Sequence, residues 1–145
     1  MLGYGLVLLA IMIGGALAWL YTPDKRRAAL EKEYADPPSV FLDVAGIRLH
    51  VRDTGPRAAP SIVLLHGFGS SLHTWEDWAR DLERDHRVIR YDIPGFGLTG
   101  ADPSRDYTDG RSVAVLVALM DRLGVTRASI IGNSMGGGLL GPSRR

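Results

Sequence analysis

The 145-residue sequence contains no cysteine, which excludes a disulfide framework, a thiolate metal site and a cysteine nucleophile. It also lacks a long run of one charge: the longest basic run is Lys25-Arg26-Arg27, and the formal net charge is +1. Because nucleic-acid binding depends on clustered basic residues, no nucleic-acid partner is expected. The chain is long enough for one domain with its own hydrophobic core.

Charged residues are absent from residues 2–21. A helix of about 20 apolar residues can cross a hydrocarbon core of about 30 Å. Tyr4, Trp19 and Tyr21 stand near the two ends of this segment, where aromatic rings favour the membrane interface. The sequence therefore predicts a transmembrane anchor over 2–21. A removable signal peptide is the alternative, because Ala16-Leu17-Ala18 matches a small-x-small cleavage site.

Residues 22–38 are rich in charge and end at Asp36-Pro37-Pro38. Because proline disfavours helix at the preceding residue, we expect a solvated, partly helical linker. Its basic cluster Lys25–Arg27 follows the apolar segment, and no Lys or Arg precedes that segment. The positive-inside tendency then predicts a single-pass membrane protein with its remaining part in the cytoplasm, and export is the alternative.

Apolar and polar residues alternate over 39–54, with Ala45-Gly46 as an interruption. This pattern predicts an antiparallel two-stranded hairpin with one face towards solvent. The solvent-facing set includes Arg48, His50 and Arg52.

Further strands are predicted at 62–65, 87–91 and 129–131. Helices are predicted after Ser70 or Ser71, either of which can cap the helix, and over 108–123. Strands that alternate with helices are typical of a parallel sheet. The apolar positions expected to face the core are Trp75, Trp78 and Leu82 in the first helix, and Val113, Leu116, Val117 and Met120 in the second.

Residues 132–136 read GNSMG directly after the last predicted strand. In a Gly-x-Ser-x-Gly turn between a strand and a helix, the serine hydroxyl is held out of the sheet. Gly132 and Gly136 are small because the strand and helix backbones approach each other there. This pattern makes Ser134 the candidate nucleophile.

A second glycine-bearing loop, HGFG at residues 66–69, follows the strand at 62–65. An acyl-transfer enzyme needs two backbone N–H groups directed at the developing oxyanion. The candidates are the amides of Phe68 and Met135, with Gly67 and Gly69 allowing the loop its conformation. We expect the side chain of His66 to be buried and hydrogen-bonded within the loop.

The third motif is DIPGFGLTG at residues 92–100. Its two inner glycines are typical of a turn-rich loop after a strand. Asp92 is expected to fix this loop through hydrogen bonds rather than to act as a catalytic acid.

In this order and at these separations, HGFGSS, DIPGFGLTG and GNSMGGG resemble the α/β-hydrolase fold superfamily. The resemblance covers about residues 39–138, roughly the N-terminal half of such a catalytic domain. It implies a serine hydrolase acting on a small-molecule ester, lactone or activated carbon–carbon bond, without metal or cofactor. Serine at 134 argues against the haloalkane dehalogenase and epoxide hydrolase branches, which use aspartate there. GNSMGG is similar to carbon–carbon-bond hydrolases, esterases and lactonases.

The resemblance also implies a catalytic acid and a histidine base downstream of the serine. The residues after Ser134, MGGGLLGPSRR, contain no His, Asp or Glu. All four histidines precede the serine, and His73 is the best-placed substitute base. We therefore predict a truncated domain over 39–138 that is inactive. The strand before Ser134, central in the family, would lie at a sheet edge. An aberrant tail is predicted over 139–145, because Gly141 and Pro142 oppose helix.

The predicted fold is α/β: a partial α/β-hydrolase sheet, an antiparallel hairpin followed by parallel βαβαβ, preceded by an N-terminal transmembrane helix. An alternative of a different class is a non-catalytic, membrane-anchored binding or assembly module that retains a partial hydrolase fold.

Overall fold

A five-stranded mixed sheet organises the structure, a computed structural model that describes residues 2–139 and 141. The strands are β1 (Ser39–Val44), β2 (Ile47–Thr54), β3 (Ser61–Leu65), β4 (Arg87–Tyr91) and β5 (Ala128–Gly132). Their order across the sheet is β1-β2-β4-β3-β5. β2 pairs antiparallel with β1 and β4, whereas β3 pairs parallel with β4 and β5. The predicted partial α/β-hydrolase sheet is therefore confirmed.

Five α-helices and one 3₁₀ turn are assigned within the described residues. They are α1 (Leu2–Leu20), α2 (Arg27–Tyr34), the 3₁₀ turn Leu72–Trp75, α3 (Glu76–Leu82), α4 (Asp109–Arg122) and α5 (Met135–Gly138). The predicted tail at 139–145 lies outside the described residues except at Leu139 and Gly141.

The predicted transmembrane helix is wrong. Among the described residues, no helix combines the length and the apolar character that a membrane crossing requires. The predicted single-pass membrane localisation rested on this segment and is wrong for the same reason. The signal-peptide alternative stays a prediction.

Of the hairpin residues predicted to face solvent, Arg48 is exposed as predicted, whereas His50 and Arg52 are buried. His50 is fully buried and Arg52 is 5% exposed. Arg52 bonds Glu76 at the start of α3, with Nη1 to Oε2 at 2.8 Å. The misprediction has a physical cause: helical segments cover this face and supply hydrogen-bond partners that the local alternation does not reveal.

The segment predicted as a linker, 22–38, contains α2 and contacts the sheet domain. Arg27 of α2 donates to the carbonyl of Leu98. Glu31 accepts from Arg48 Nη1 at 2.7 Å. These contacts hold α2 against the sheet domain. The side chains of the ion pairs are partly exposed.

The hydrophobic core lies between α4 and the sheet. The buried residues of α4 are Val115, Leu116 and Leu119, which pack with residues of all five strands. Val113 and Val117, predicted to face the core, are 40% and 51% exposed. On the other face, Trp78 of α3 is 60% exposed, again contrary to prediction.

Strand β5 lies at an edge of the sheet. Within the described part of the chain it pairs with β3 alone, from Ala128 to Gly132, and Ile131 is 36% exposed. The edge position predicted for the strand before Ser134 is confirmed. An exposed apolar edge is a site where another strand can pair.

An ion pair between the partly exposed Arg111 and the buried Asp102 ties the start of α4 to the loop after β4. Asp102 accepts from Arg111 Nε at 2.8 Å and from the amide and hydroxyl of Ser104 at 2.8 Å each. Arg111 also donates to the carbonyl of Ala45 in the hairpin turn at 2.9 Å. The hydrogen bond from Arg111 is the main reason that the pKa of Asp102 falls from 3.8 to about 2.

This lowered pKa predicts an acid-sensitive component of stability. The contribution is fully present above the unfolded-state pKa of about 4 and is lost as pH falls through about 2. Asp102→Asn should lower the free energy of unfolding at pH 7 and make its decline between pH 4 and pH 2 shallower. Urea unfolding at several pH values measures this, with Asp77→Asn on an exposed ion pair as control. An acid decline as steep in Asp102→Asn as in the wild type would contradict the assignment.

Candidate functional site

Ser134 occupies a sharp turn between β5 and α5. Its φ of 51° and ψ of −114° lie outside the regions that side chains ordinarily occupy. Such strain persists only where surrounding structure enforces it, and it concentrates at functional sites. The predicted position of Ser134, at the tip of the last parallel strand, is where the structure places it.

Backbone packing enforces this turn. A Cβ added at Gly132 would lie 2.3 Å from the carbonyl carbon of Gly136. One added at Gly136 would lie 2.5 Å from the carbonyl oxygen of Leu65 and 2.6 Å from that of His66. No side chain fits at either position, so the two predicted glycines are steric requirements. Asn133 adds a hydrogen bond from its amide to the carbonyl of Leu65 at 3.0 Å.

The loop after β3 lies directly against the serine turn. A Cβ at Gly67 would stand 3.3 Å from both the Asn133 carbonyl oxygen and the Ser134 Cβ. Gly69 has a φ of 68°, which glycine adopts without strain. Within the described residues, the amides of Phe68 and Met135 donate to no other protein group, and Met135 is the first residue of α5. Both N–H groups are thus free for a bound acceptor.

The side chain of His66 holds the loop at residues 66–69 in place through two hydrogen bonds. It is fully buried, and its Nε2 accepts from the amide of Ile93 at 2.9 Å. Since Nε2 is the acceptor, Nδ1 carries the proton and donates to the carbonyl of Gly67 at 2.8 Å. The side chain of His66 is therefore buried and hydrogen-bonded within the loop, as predicted.

His50 and His73 form their hydrogen bonds with groups other than Ser134. His50 bonds Asp92 and Ser39, and His73 bonds the carbonyl of Tyr34 at 3.1 Å. Burial and the nearby Arg52 charge lower the pKa of His73. Within the described residues, no histidine forms a hydrogen bond to Ser134, so His73, named as the substitute base, is not brought to the site.

Asp92 fixes the loop at 92–100, as expected. Its carboxylate accepts from the amides of Leu72 and Leu98, each at 2.7 Å. Burial opposes its ionisation, but these bonds and the one from His50 outweigh burial and lower its pKa. A Cβ at Gly97 would lie 2.2 Å from the carboxylate, so the loop closes tightly around it.

A cavity of about 570 Å³ adjoins the serine turn. Its apolar wall consists of Phe68, Ile93, Pro94, Phe96, Met135 and Leu139. Phe68 and Phe96 contact each other edge to face, with ring centroids 5.4 Å apart. Asp106, Asp109 and Arg111 stand among the polar lining residues. Phe96 was not predicted to belong to the site; the signal that could have indicated it is the PGFG turn that carries it.

The sequence of the core and turn matches a known family. A profile described as alpha/beta hydrolase fold matches residues 60–140, which is more than half of the chain. The chain belongs to the α/β-hydrolase fold family.

Individual relatives within this family carry several named activities. A haloalkane dehalogenase from Psychrobacter cryohalolentis is 35% identical over 81% of this chain and 41% of its own length. A 2-hydroxy-6-oxononadienedioate/2-hydroxy-6-oxononatrienedioate hydrolase from Burkholderia vietnamiensis is 34% identical over 68% of this chain and 35% of its own. An epoxide hydrolase structure from Vigna radiata has a TM-score of 0.65 and 31% identity, over 70% of this chain and 33% of that one.

The chain therefore spans about two fifths or less of the length of these α/β hydrolases. The names of these three relatives denote different reactions. The similarity shows that the chain is of hydrolase family and fold, and the choice among reactions depends on the residues of the site itself.

The glycine contacts generate a prediction about the serine turn of this α/β hydrolase. Gly136→Ala should lower the free energy of unfolding by about 2 kcal/mol or more, because its Cβ would overlap the carbonyls of Leu65 and His66. Gly138→Ala is the matched control, since its Cβ meets nothing within 4 Å. Urea unfolding of both variants measures the difference. Equal stabilities would contradict the enforced close approach.

Proposed function

We propose that this chain carries the nucleophile and the oxyanion hole of a serine hydrolase. The reaction is hydrolysis of a small-molecule ester, lactone or activated carbon–carbon bond. The observation that carries the proposal is the strained conformation of Ser134, between two glycines that admit no side chain and against the glycine loop at 66–69.

In this proposal Ser134 is the nucleophile. Its Oγ attacks the substrate carbonyl carbon, and the bond that forms moves negative charge onto the carbonyl oxygen. Serine, rather than aspartate, at this position favours the ester, lactone and carbon–carbon-bond branches of the family over the dehalogenase and epoxide hydrolase branches.

The amides of Phe68 and Met135 are proposed to stabilise that oxyanion. Both belong to segments in contact with the serine turn, and both N–H groups are unused by the described residues. Preorganised donors of this kind are worth about 3 kcal/mol each in transition-state stabilisation. His66 is proposed to act as a positioning residue, because it holds the carbonyl of Gly67 and the amide of Ile93.

The substrate is proposed to place an apolar part in the cavity beside Ser134. The wall contributed by Phe68, Phe96 and Met135 is apolar. Arg111 at the rim is neutralised by Asp102, so it offers little attraction to an anionic substituent. These features support a neutral, apolar acyl group over a charged one. No metal or cofactor enters this proposal.

Among the described residues, no side chain forms a hydrogen bond through which it could accept the proton of the Ser134 hydroxyl. A serine hydroxyl reacts slowly without a base within about 3 Å that is oriented by a third group. We propose that residues 39–138 supply half of a catalytic site and that this polypeptide alone does not turn over.

The purified chain should accordingly show no hydrolysis that depends on Ser134. Removal of triad members from a serine hydrolase leaves a residual rate orders of magnitude below normal. Release of p-nitrophenol from p-nitrophenyl esters, together with fluorophosphonate labelling mapped to the peptide that contains Ser134, provides the measurement. Ser134→Ala is the control, and it should match the wild type in both assays.

Strong labelling of Ser134 itself would contradict the half-site proposal. It would mean that a base reaches the hydroxyl, either from His73 after rearrangement or from a second chain. Turnover lost in Ser134→Ala would then support the hydrolase assignment and overturn only the predicted inactivity.

A further inference from the structure

Three side chains on the other face of the sheet form a hydrogen-bonded series that does not include Ser134. Ser39 at the start of β1 lies 2.9 Å from His50 on β2, measured from Oγ to Nε2. The other ring nitrogen of His50, Nδ1, lies 2.8 Å from Oδ2 of Asp92. A serine, a histidine and a buried aspartate are thus joined in the order that activates a serine hydroxyl.

The hydrogen-bond partners of Asp92 determine which atom donates and which accepts in each hydrogen bond of this series. Its two oxygens already accept the amide hydrogens of Leu72 and Leu98, and these bonds favour the ionised carboxylate. An ionised carboxylate can only accept, so Nδ1 of His50 must donate to it. In the neutral ring Nε2 is then an acceptor, and the hydroxyl hydrogen of Ser39 points to it.

Arg52 provides a fourth component. Its Nε donates to Ser39 Oγ at 2.8 Å, so a positive charge faces the oxygen that would lose its proton. The guanidinium is held by Glu76 at 2.8 Å and by Asp36 at 2.9 Å. A charge-assisted donor in this fixed position stabilises negative charge as it develops on Oγ.

Packing immobilises the imidazole of His50. The ring is fully buried, with the Phe41 ring 5.2 Å away and the His73 ring 5.9 Å away between centroids. The charged and titratable groups that face it are Asp92, Arg52 and His73. Ser39, in contrast, is only half-buried and opens β1, an edge strand of the sheet.

Other serines near histidines lack this arrangement. Ser71 Oγ lies 3.4 Å from Nδ1 of His73, a long contact, and the second nitrogen of that ring bonds a carbonyl rather than a carboxylate. Among the described residues, no histidine forms a hydrogen bond with Ser134. Ser71 therefore serves as a matched comparison for Ser39.

We propose that Ser39 is a base-activated nucleophile, distinct from Ser134, that reacts with small activated phosphoryl and acyl compounds. With diisopropyl fluorophosphate, the Oγ–P bond forms as the P–F bond breaks. Fluoride leaves, and the hydroxyl proton passes to Nε2 of His50, whose positive charge Asp92 then stabilises. Ser39 does not line the cavity beside Ser134, so the site takes compact reagents that need no large binding pocket.

The test uses the full chain with diisopropyl fluorophosphate, followed by proteolysis and mass spectrometry to locate the adduct. We expect the residue that carries the diisopropylphosphoryl group to be Ser39 in the wild type and in Ser71→Ala, with no adduct at this peptide in Ser39→Ala. His50→Gln should slow the labelling at least tenfold.

Unfolding provides a control that does not depend on the stability of any variant. Labelling of the wild type in urea above its unfolding transition should be abolished, because the series exists only in the folded chain. Absence of an adduct on Ser39, preferential labelling of Ser71 or Ser134, or equal labelling of folded and unfolded chain would each overturn the proposal. Measuring Ser39 and Ser134 as separate peptides keeps this result apart from the test of the hydrolase proposal.

Discussion

The approach of the Gly136 backbone to the carbonyls of Leu65 and His66 is the constraint on which the candidate site depends. At this point the end of β3, the turn after β5 and the glycine loop at 66–69 meet without an intervening side chain. The contact holds Ser134 in a conformation that serine otherwise avoids. It also brings together the two segments that carry the unused amides of Phe68 and Met135. The arrangement of the site is therefore a consequence of backbone packing. Its main sequence requirement is glycine at 132 and 136.

A second polar centre, at Asp92, supports the site from the opposite face of the sheet. Its carboxylate links the turn that begins the 3₁₀ segment, the loop that forms one wall of the cavity, and His50 on β2. Through Arg27 and its contacts with the carbonyls of Leu98 and Thr99, α2 reaches the same loop. Because buried polar groups cost free energy unless they are paired, this network resists rearrangement and fixes the loop beside the cavity.

Much of this organisation can be predicted from the sequence, because it is encoded locally. The parallel strands, the hairpin and the glycine motifs around Ser134 each occupy a short contiguous stretch. Features that depend on distant partners could not be predicted. His50 is buried because residues 11 and 42 positions away supply its hydrogen bonds. Val113 and Val117 were expected in the core because α4 is apolar on more than one side. The sheet, however, contacts only one side of this helix, and both valines lie outside it. The transmembrane prediction treated the absence of charge over 2–21 as sufficient, whereas the structure has no helix among its described residues that meets the requirement.

The central claim is that the amides of Phe68 and Met135 form a preformed anion site beside Ser134. The most direct measurement is a titration of the ¹⁵N-labelled chain with acetate, followed by ¹H–¹⁵N correlation spectra. The account predicts that the Phe68 and Met135 amide resonances shift together, with one shared apparent dissociation constant, and move further than other loop amides. Shifts at these two amides no larger than those of exposed amides elsewhere, or unrelated titration curves for the two, would contradict it.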